Sequence, residues 1–282
     1  MPGKIGLIAG KSKFPLIFAR AAKEQGYEVV AAAHHGETDP AINELVAASK
    51  WVYVGQLGKI IRFFQQTGVT QAVMAGGITK GRLFTHLRPD LRALKLLGRV
   101  RHAGDDGILR GVAAEFESSG ITIVSPTPFL IDLVTPVGVL SRRRPSAEEM
   151  RDVHFGWHIA KEIGRLDIGQ CVVVRRQAVL AVEAIDGTDA TIRRGGLLAG
   201  EKAVVVKVSK PDQDLRFDVP AVGLDTIRVM SEVKASVLAL EAGKTLLFDR
   251  AEMLATADRA KIAIIGLEDN GTEGTGNRRK SL

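Results

Sequence analysis

The sequence predicts an α/β fold of two domains joined by a linker, with a mainly parallel sheet in the first domain and an α+β arrangement in the second. Short β-branched runs alternate with helix-length amphipathic segments through the first half of the chain. The 30 glycines and the 5% aromatic content favour tight loops and aliphatic cores. The length of 282 residues suits two domains of ordinary size.

The first domain is predicted to cover residues 1–134. It begins with a strand at Lys4–Ala9, which leads through Gly10 into a helix that ends before Gly26. The further predicted strands are Glu28–Ala33, Trp51–Val54, Ala72–Ala75 and Ile121–Val124, and the predicted helices are Phe14–Gln25, Leu57–Gln66, Asp90–Leu97 and Asp106–Ser118. Because helices connect successive strands, we expect a parallel sheet that binds ligands beyond the carboxyl ends of its strands.

Residues 135–145 are punctuated by Pro and Gly and are predicted to form the linker. Ser146 and Glu149 then form a capping-box pattern that begins a helix. The elements predicted for the second domain, residues 146–267, are a helix over 147–164, a hairpin of 170–175 with 178–183, a strand over 203–208, a helix after Asp225, strands around Val237, Leu246 and Ile264, and a helix capped by Asp249 that runs to Asp258. The tail, residues 268–282, is predicted to be disordered.

The chain carries a formal net charge of +7, with 39 Lys and Arg against 32 Asp and Glu. This favours an anionic partner, either a phosphorylated small molecule, an anionic lipid surface or nucleic acid. Nucleic acid is not expected, because aromatic residues are not interleaved with the basic ones and no zinc-finger spacing occurs. The single cysteine, Cys171, and the lack of a signal-peptide pattern indicate a cytoplasmic protein.

Two glycine-containing turns follow predicted strands of the first domain. Gly10 and Lys11 join the first strand to its helix, where free N–H groups and the helix dipole could bind a phosphate. An ordinary strand–helix turn capped by Ser12 would have the same spacing. Gly76 and Gly77 also have two interpretations: they could let the backbone approach a ligand closely, or they could form only a sharp turn.

Carboxylates occur in two further patterns. Gly104-Asp105-Asp106 opens a helix, where an aspartate can cap the helix or bind a divalent cation. Eight carboxylates then lie between Glu183 and Asp225, with Lys207 and Lys210 nearby. Phosphoryl chemistry needs carboxylates that bind a metal and, beside them, cations that bind phosphate. A solvated acidic loop has a similar composition.

Several longer motifs resemble a single family. In the second half they are Leu166-Asp167-Ile168-Gly169-Gln170, the run from Val179 to Ala184 that continues to Gly187-Thr188-Asp189, and the run from Lys210-Pro211 to Arg216-x-Asp218-x-Pro220. In the first half they are Leu7-Ile8-Ala9-Gly10 with Pro15, Ala75-Gly76-Gly77 and Gly104-Asp105-Asp106. Over about residues 4–267 the chain resembles the bacterial UDP-2,3-diacylglucosamine pyrophosphatases of the non-metallophosphoesterase type.

This resemblance implies a Rossmann-like N-terminal domain, a C-terminal α/β domain and an active site in a cleft between them. It implies hydrolysis of the diphosphate of UDP-2,3-diacylglucosamine in lipid A synthesis. The products would be UMP and 2,3-diacylglucosamine 1-phosphate (lipid X). The implied cofactor is Mg²⁺, with Mn²⁺ as a substitute.

The site residues implied by the resemblance fall into three groups. The catalytic group is Asp218, Arg216 and Lys210. The substrate-binding group is Gly10, Lys11, Gly76, Gly77, Thr188 and Gln213. The metal ligands are Asp218, Asp105, Asp106, Asp189 and Glu183. If the segment before Pro220 is extended, Arg216 and Asp218 lie on the same side of it and could face one ligand.

The chain departs from the family pattern at three places. Lys11 and Ser12 stand where the family's first loop usually has glycines, Lys80-Gly81 stands where Arg-Pro is frequent, and Arg176-Gln177 forms a hairpin turn that often contains Gly. The departures spare the carboxylates, so they affect the expected details of nucleotide binding more than the expected chemistry.

The acylated substrate also implies transient contact with the inner membrane surface. Candidate contacts are Arg142–Arg144 and the basic set Arg88, Arg92, Lys95, Arg99 and Arg101, which could equally be solvated basic faces. A homodimer is a further expectation. The main alternative function is a non-catalytic regulator that binds a nucleotide sugar or lipid in the same cleft. An oxidoreductase is disfavoured because the dinucleotide fingerprint is missing.

Overall fold

A computed structural model describes residues 3–79, 87–99, 105–211 and 213–269. Its first sheet consists of β1 (Lys4–Ala9), β2 (Glu28–His34), β3 (Ala48–Val52), β4 (Gln71–Ala75) and β5 (Thr122–Ile123). The strands lie in the order β3-β2-β1-β4-β5, and each neighbouring pair is parallel. The order reverses between β1 and β4, which is where open parallel sheets of this kind bind ligands.

The helices of this part of the chain are α1 (Phe14–Glu24), α2 (Leu57–Gln66), α3 (Leu91–Arg99) and α4 (Asp105–Glu117), with short 3-10 helices at Pro40–Glu44 and Thr127–Leu133. Pro15 lies in the first turn of α1, where its missing N–H has no helical partner to lose. The core on one side of the sheet contains Val30, Ile61, Phe64 and Phe116. The first sheet is therefore covered by helices that pack aliphatic and aromatic side chains against it.

The second sheet is mixed. Its strands are β6 (Gly138–Val139), β7 (Cys171–Arg175), β8 (Ala178–Val182), β9 (Val204–Lys207), β11 (Val237–Glu241) and β13 (Ala263–Leu267), in the order β6-β13-β11-β9-β7-β8. The three central strands, β9, β11 and β13, run parallel to one another. The antiparallel pairs are β6 with β13, β7 with β9, and β8 with β7. The short strands β10 (Ala221–Val222) and β12 (Leu246–Leu247) form a separate parallel pair.

The helices of this part are α5 (Ala147–Arg165), α6 (Thr188–Ala199), α7 (Leu224–Glu232) and α8 (Arg250–Arg259). Alternate residues of the sheet belong to two different cores. Val173 and Val205 share a core with Ile192 of α6, and Val172 and Val204 share the other with residues of α5. Because both faces are covered, the strands are apolar at nearly every position.

Cys171 is fully buried at the start of β7. Its burial raises the pKa of the thiol far above the ordinary range. A buried, protonated thiol is chemically inert, so Cys171 serves the fold as a small apolar residue.

The α/β class predicted from the sequence is confirmed. The capping box at Ser146 is also confirmed, because the Glu149 N–H donates to Ser146 Oγ and the Ser146 N–H donates to Glu149 Oε2. The cap predicted at Asp249 is wrong: this residue has a left-handed φ of 50° and its side chain makes no capping hydrogen bond. An N-cap residue normally has extended backbone angles, which aim its side chain at the first turn.

Contacts between residues divide the chain into two units. The first contains Met1–Ile131 and Asp214–Asp218, and the second contains Asp132–Gln213 and Val219–Leu282. The division into domains at 1–134, 135–145 and 146–267 stays a prediction. In the predicted tail, residues 270–282 lie outside the described part, while the Asp269 carboxylate lies 2.8 Å from Lys161 Nζ. Within the described ranges, no helix is both long and apolar enough to cross a membrane.

Candidate functional site

The turns after β1 and β4 pair with each other through their backbones. The Gly10 N–H donates to Ala75 O at 2.8 Å, and the Lys11 N–H donates to Gly77 O at 2.7 Å. A Cβ at Gly10 would lie 2.5 Å from the carbonyl oxygens of Gly76 and Gly77. The glycine at position 10 is therefore required by a close approach of two backbone segments. The predicted phosphate binding by these turns stays a prediction.

A cluster of buried polar side chains that no sequence motif indicated surrounds the carboxyl end of β1. The Ala9 carbonyl accepts a hydrogen bond from Thr38 Oγ1 at 2.6 Å and lies 2.8 Å from His34 Nδ1. Burial lowers the pKa of His34, so its imidazole is neutral and donates from Nδ1. Glu37 Oε2 accepts from the Thr79 hydroxyl at 2.9 Å. The only signal in the sequence is a polar group directly after a buried strand.

Asp105 and Asp106 are the first two residues of α4. Gly104 lies outside the described residues, and no statement about the two aspartate side chains follows from the structure. The two alternatives from the sequence, a helix cap and a cation ligand, both remain predictions.

The segment Asp214–Asp218 is a turn and not an extended strand. The N–H groups of Phe217 and Asp218 donate to Asp214 O at 3.0 and 3.3 Å, and the Asp214 carboxylate accepts from the Arg216 N–H at 3.1 Å. Arg216 and Asp218 were expected on the same side only if this segment is extended, and that condition is not met. The aspartate side chain closes a local turn in competition with extended pairing.

Arg216 is held within its own unit. Its guanidinium donates to both oxygens of Asp214, with Nη2 2.8 Å from Asp214 Oδ2, and Nη1 lies 3.2 Å from Glu117 Oε1. The hydrogen bond from Arg216 lowers the pKa of Asp214 and raises that of Arg216. Asp218, at the end of the turn, is exposed. Of the two predicted catalytic residues in this segment, Arg216 forms ion pairs with Asp214 and Glu117, and Asp218 is exposed.

In the second unit, Glu183, Thr188 and Lys207 form a hydrogen-bonded chain at the end of β9. Thr188 Oγ1 donates to Glu183 Oε1 at 2.6 Å and accepts from Lys207 Nζ at 2.9 Å. Glu183 Oε2 accepts from the Gln170 N–H at 3.1 Å. Both Glu183 and Lys207 are buried, at 8% and 6% exposed. A buried ammonium and a buried carboxylate are thus linked through one hydroxyl, which fixes the orientation of all three groups.

A pocket of about 380 Å³ opens at the amino end of α6. It is lined by Gly187, Thr188, Asp189, Lys207 and Thr226, among others. The N-cap residue, Gly187, has a φ of 81° and offers no side-chain acceptor to the first turn. The partial positive charge of the helix terminus and the Lys207 ammonium therefore act in one pocket, which suits an anion.

Asp189 lies in the first turn of α6 and lines the same pocket. Its Oδ1 accepts a hydrogen bond from Thr226 Oγ1 at 3.2 Å. Thr226 was not identified from the sequence, because a single polar side chain next to an apolar run carries no recognisable pattern. Gln170 stands in one of the family motifs, and it contributes its backbone N–H to Glu183.

Lys210 and Gln213 lie in the loop after β9. Gln213 Oε1 accepts from the Lys210 N–H at 2.9 Å and from Ser209 Oγ at 3.0 Å. The Lys210 ammonium forms an ion pair with Asp167. Both residues therefore take part in the internal hydrogen bonding of this loop.

The predicted metal ligands whose side chains lie in the described part of the chain are Glu183, Asp189 and Asp218. No group of three or more His, Cys, Asp or Glu side chains there has the arrangement of a metal site. Glu183 and Asp189 belong to the second unit, and Asp105, Asp106 and Asp218 belong to the first.

Comparison with known families decides what kind of protein this is. Residues 4–133 match the family model of the LpxI N-terminal domain, and residues 136–265 match that of the LpxI C-terminal domain. The chain belongs to the LpxI family. The UDP-2,3-diacylglucosamine pyrophosphatase LpxI of Caulobacter vibrioides is similar to this chain, with 34% identity over 276 residues. The match covers 94% of this chain and 98% of the relative.

Solved structures add nothing to the LpxI assignment. The biotin carboxylase domain of a thermophilic 2-oxoglutarate carboxylase is 17% identical with a TM-score of 0.29, and the match covers 61% of this chain and 35% of that one. The glycinamide-RNase-transformylase T of Mycobacterium tuberculosis is 14% identical with a TM-score of 0.25, over 64% of this chain and 44% of that one. Scores this low carry no argument about function.

The two LpxI family matches meet between residues 133 and 136, whereas the units of the structure are not divided at a single point. The segment Asp214–Asp218 lies inside the LpxI C-terminal match and belongs to the first unit. The structure brings together Glu183, Thr188 and Asp189 among the predicted site residues, and it separately brings together Gly10, Lys11, Gly76 and Gly77.

Proposed function

We propose that this protein hydrolyses UDP-2,3-diacylglucosamine to UMP and 2,3-diacylglucosamine 1-phosphate in lipid A biosynthesis. The observation that carries the proposal is the match to both LpxI domain models, together with a pyrophosphatase relative that is 34% identical over 94% of the chain. In the reaction, a water oxygen bonds to one phosphorus and the bond from that phosphorus to the bridging oxygen breaks. The bridging oxygen leaves with the other phosphate, and the water proton is lost to solvent or a base.

We propose that the pocket at α6 binds a phosphate group of the substrate. Lys207 Nζ is buried and is held by Thr188 Oγ1 and by the Ala221 carbonyl, both at 2.9 Å. An ammonium fixed in this way needs no reorganisation when negative charge develops on a phosphate oxygen. The amino end of α6 adds its partial positive charge in the same pocket.

We propose Asp218 as the essential carboxylate of the reaction. Its exposure leaves it accessible to substrate and water, and the Asp214 turn fixes its backbone. Arg216 would then act by holding that turn through Asp214 and Glu117. Lys210 and Gln213 would shape the loop that follows β9.

We propose that Mg²⁺, or Mn²⁺ in its place, is required. The donor set fits such a cation, because magnesium binds oxygen and usually takes only one or two protein carboxylates together with phosphates and waters. The proposed ligands are drawn from Asp105, Asp106, Glu183, Asp189 and Asp218. When bound, the cation would neutralise charge on the diphosphate. We also propose that the protein is of the non-metallophosphoesterase type, the type that its sequence motifs resemble.

The test is a turnover assay on the purified protein with UDP-2,3-diacylglucosamine in detergent. Mass spectrometry should show release of UMP, loss of release with EDTA and recovery with Mg²⁺. The same reaction in ¹⁸O-labelled water identifies the attacked phosphorus, because the label enters only that product. Tight binding of the substrate without release of UMP would contradict the proposal and favour a non-catalytic regulator.

We further propose a cytoplasmic protein that acts at the inner membrane surface, with homodimers as its assembled form. The two acyl chains in the substrate's name support the membrane contact. Measuring the mass of the protein in solution by light scattering tests the dimer.

A further inference from the structure

We propose that α3 is the element that docks this protein on an anionic lipid bilayer. The purpose of such docking rests on the proposed function, since an acylated substrate is presented at a membrane. Three features of α3 support it: the distribution of side chains around the helix, its charge and its attachment to the rest of the first unit.

Exposed leucines form one face of α3. Leu91, Leu94 and Leu97 are 77%, 52% and 39% exposed. At about 3.6 residues per turn, these positions, three apart, form a continuous apolar strip. Ala93 and Leu96, on another face, are buried in the first core. The leucine strip is therefore additional to the face by which α3 packs on the protein, and an exposed apolar strip of this kind marks an interaction surface.

Basic side chains form a third face. Arg92, Lys95 and Arg99 are spaced by three and four residues and are all exposed. Lys95 and Arg99 have no ion-pair partner within the described ranges, whereas Arg92 lies 3.2 Å from Glu115. Arg88, just before α3, stacks over the Tyr53 ring at 3.9 Å. A helix with an apolar strip next to a basic one is the pattern of segments that lie in the interface of an anionic membrane.

The amino end of α3 is firmly attached. Asp90 Oδ1 accepts from the N–H groups of Arg92 and Ala93 at 3.1 Å, and Asp90 Oδ2 accepts from the Gly58 N–H at 2.6 Å. The Asp90 carboxylate thus ties α3 to the first turn of α2. Its negative charge is also compensated by three N–H donors, so it does not offset the basic face.

The charge pattern favours a bilayer over a second copy of this chain. In a twofold dimer the same patch faces itself, so the basic faces of two α3 helices would be brought together and would repel. The net charge of +7 adds to that repulsion and to the attraction toward anionic lipid. The other basic run, Arg142–Arg144, is less suited, because Arg143 is bound to both oxygens of Glu149.

The test is cosedimentation of the full chain with substrate-free vesicles of phosphatidylcholine, with or without phosphatidylglycerol. The variant Leu91→Ser/Leu94→Ser removes the apolar strip, and Lys95→Gln/Arg99→Gln removes two cations. The matched control is Leu197→Ser/Leu198→Ser, which changes two exposed leucines of α6, at 75% and 66%. Circular dichroism confirms that each variant is folded, and light scattering reports its oligomeric state.

We expect the wild type and the control to bind the anionic vesicles and to bind the neutral ones weakly. The leucine variant should lose more than about tenfold in partition coefficient. The cation variant should lose about fivefold for each charge removed. Equal binding by the leucine variant and the wild type would overturn the proposal. The proposal would also be overturned if the wild type does not bind vesicles and is instead a dimer that the leucine substitutions dissociate.

Hydrolysis in detergent, measured in parallel, separates this proposal from the proposed function. The leucine and cation variants should hydrolyse dispersed substrate as fast as the wild type. If the wild type binds vesicles through α3 but releases no UMP, the proposed function fails and the docking surface stands. If hydrolysis is normal and vesicle binding is absent, the docking surface fails alone.

Discussion

Asp218 and Arg216 are two residues apart in one turn, but they differ in exposure. The guanidinium of Arg216 is bound to Asp214 and Glu117, whereas the Asp218 side chain is exposed. Arg216 therefore holds the turn through its ion pairs, and Asp218 lies where solvent reaches it.

For Asp218→Asn we predict a loss of kcat of about 100-fold or more, with little change in substrate affinity or melting temperature. A carboxylate that contributes mainly in the transition state affects the rate more than binding. Steady-state kinetics with calorimetric binding would measure both quantities.

Asp225→Asn is the matched control for Asp218→Asn. Asp225 lies in the first turn of α7, after the N-cap residue Gly223, so it does not cap the helix. It forms an exposed ion pair with Arg228 at 3.0 Å. An exposed pair contributes about 1 kcal/mol or less, so activity should stay near that of the wild type. Equal losses in both variants, or a loss that follows a fall in melting temperature, would show that Asp218 is structural.

The hydrogen bond from Arg216 lowers the pKa of Asp214, and this predicts a dependence of stability on pH. A carboxyl group whose pKa is lower in the folded than in the unfolded protein stabilises the fold above its unfolded pKa of about 3.9. That contribution is lost as the pH falls through the folded pKa. In Asp214→Asn the melting temperature should be lower at neutral pH and should fall less steeply below pH ~4. Parallel melting curves of both proteins from neutral to acid pH would contradict this.

At the scale of elements, β11 and α5 together fix the start of the loop that carries Lys210 and Gln213. Glu241, the last residue of β11, is 1% exposed, and its Oε2 accepts from the Ser209 N–H at 2.7 Å and from Lys161 Nζ at 2.8 Å. Lys161 Nζ also lies 2.8 Å from the Asp269 carboxylate. The loop therefore begins from a buried ion pair.

For Glu241→Gln we predict a loss of roughly 3 kcal/mol in the free energy of unfolding, because the substitution leaves a partly buried lysine with weaker compensation. Since the loop loses its fixed start, KM should also rise. Glu232→Gln is the control, because Glu232 makes only an exposed pair with Arg193 at 3.4 Å. Urea unfolding and kinetics of the two variants test the prediction. Equal stability of both would contradict it.

Much of the element order could be predicted from the sequence, because strands buried on both faces are continuous apolar runs and the capping box is a local pattern. The helix α6 was missed. Its two interior glycines, Gly195 and Gly196, disfavour a helix by propensity, and tertiary packing overrides that preference. A Cβ at Gly195 would lie 2.5 Å from Val173 Cβ, so this glycine is there to let α6 approach β7.

The candidate site was predicted only in part for a similar reason. Thr188, Asp189 and Glu183 belong to motifs along the chain, and the structure brings them into one neighbourhood. The Gln170 backbone N–H and the Thr226 hydroxyl contribute to it through single hydrogen bonds made across the fold. Contacts of this kind depend on the register of the strands and leave no local pattern. The turn at Asp214 is a different case, because an Asp side chain can close a turn wherever the neighbouring chain allows it.

At the scale of the whole molecule, the first unit is completed by five residues from far along the chain. Phe217 packs against the first core, and Ser125 Oγ donates to Leu215 O at 3.1 Å. Trp51 and Trp157 are the two tryptophans of the sequence, and they belong to different units. Each unit therefore has its own fluorescent reporter.

We predict that residues 1–134 expressed alone unfold at lower urea concentration than the same unit within the full chain. In Trp157→Phe full-length protein, Trp51 fluorescence reports the first unit. Adding Phe217→Ala there should lower its stability by about 1–2 kcal/mol, because part of an aromatic side chain leaves the core. An isolated piece as stable as the intact unit would contradict the prediction.

The burial of Cys171 means that the native protein exposes no cysteine to thiol reagents. One thiol, closed off within the second sheet and kept protonated, leaves no site for alkylation while the fold is intact. A thiol reagent should therefore add a single mass increment per molecule only when the strand around Cys171 opens, so labelling would count unfolding events. Exposure to oxidants should leave the folded molecules without disulfide-linked pairs, and crosslinked dimers in a stored sample would be a record of chains that had unfolded.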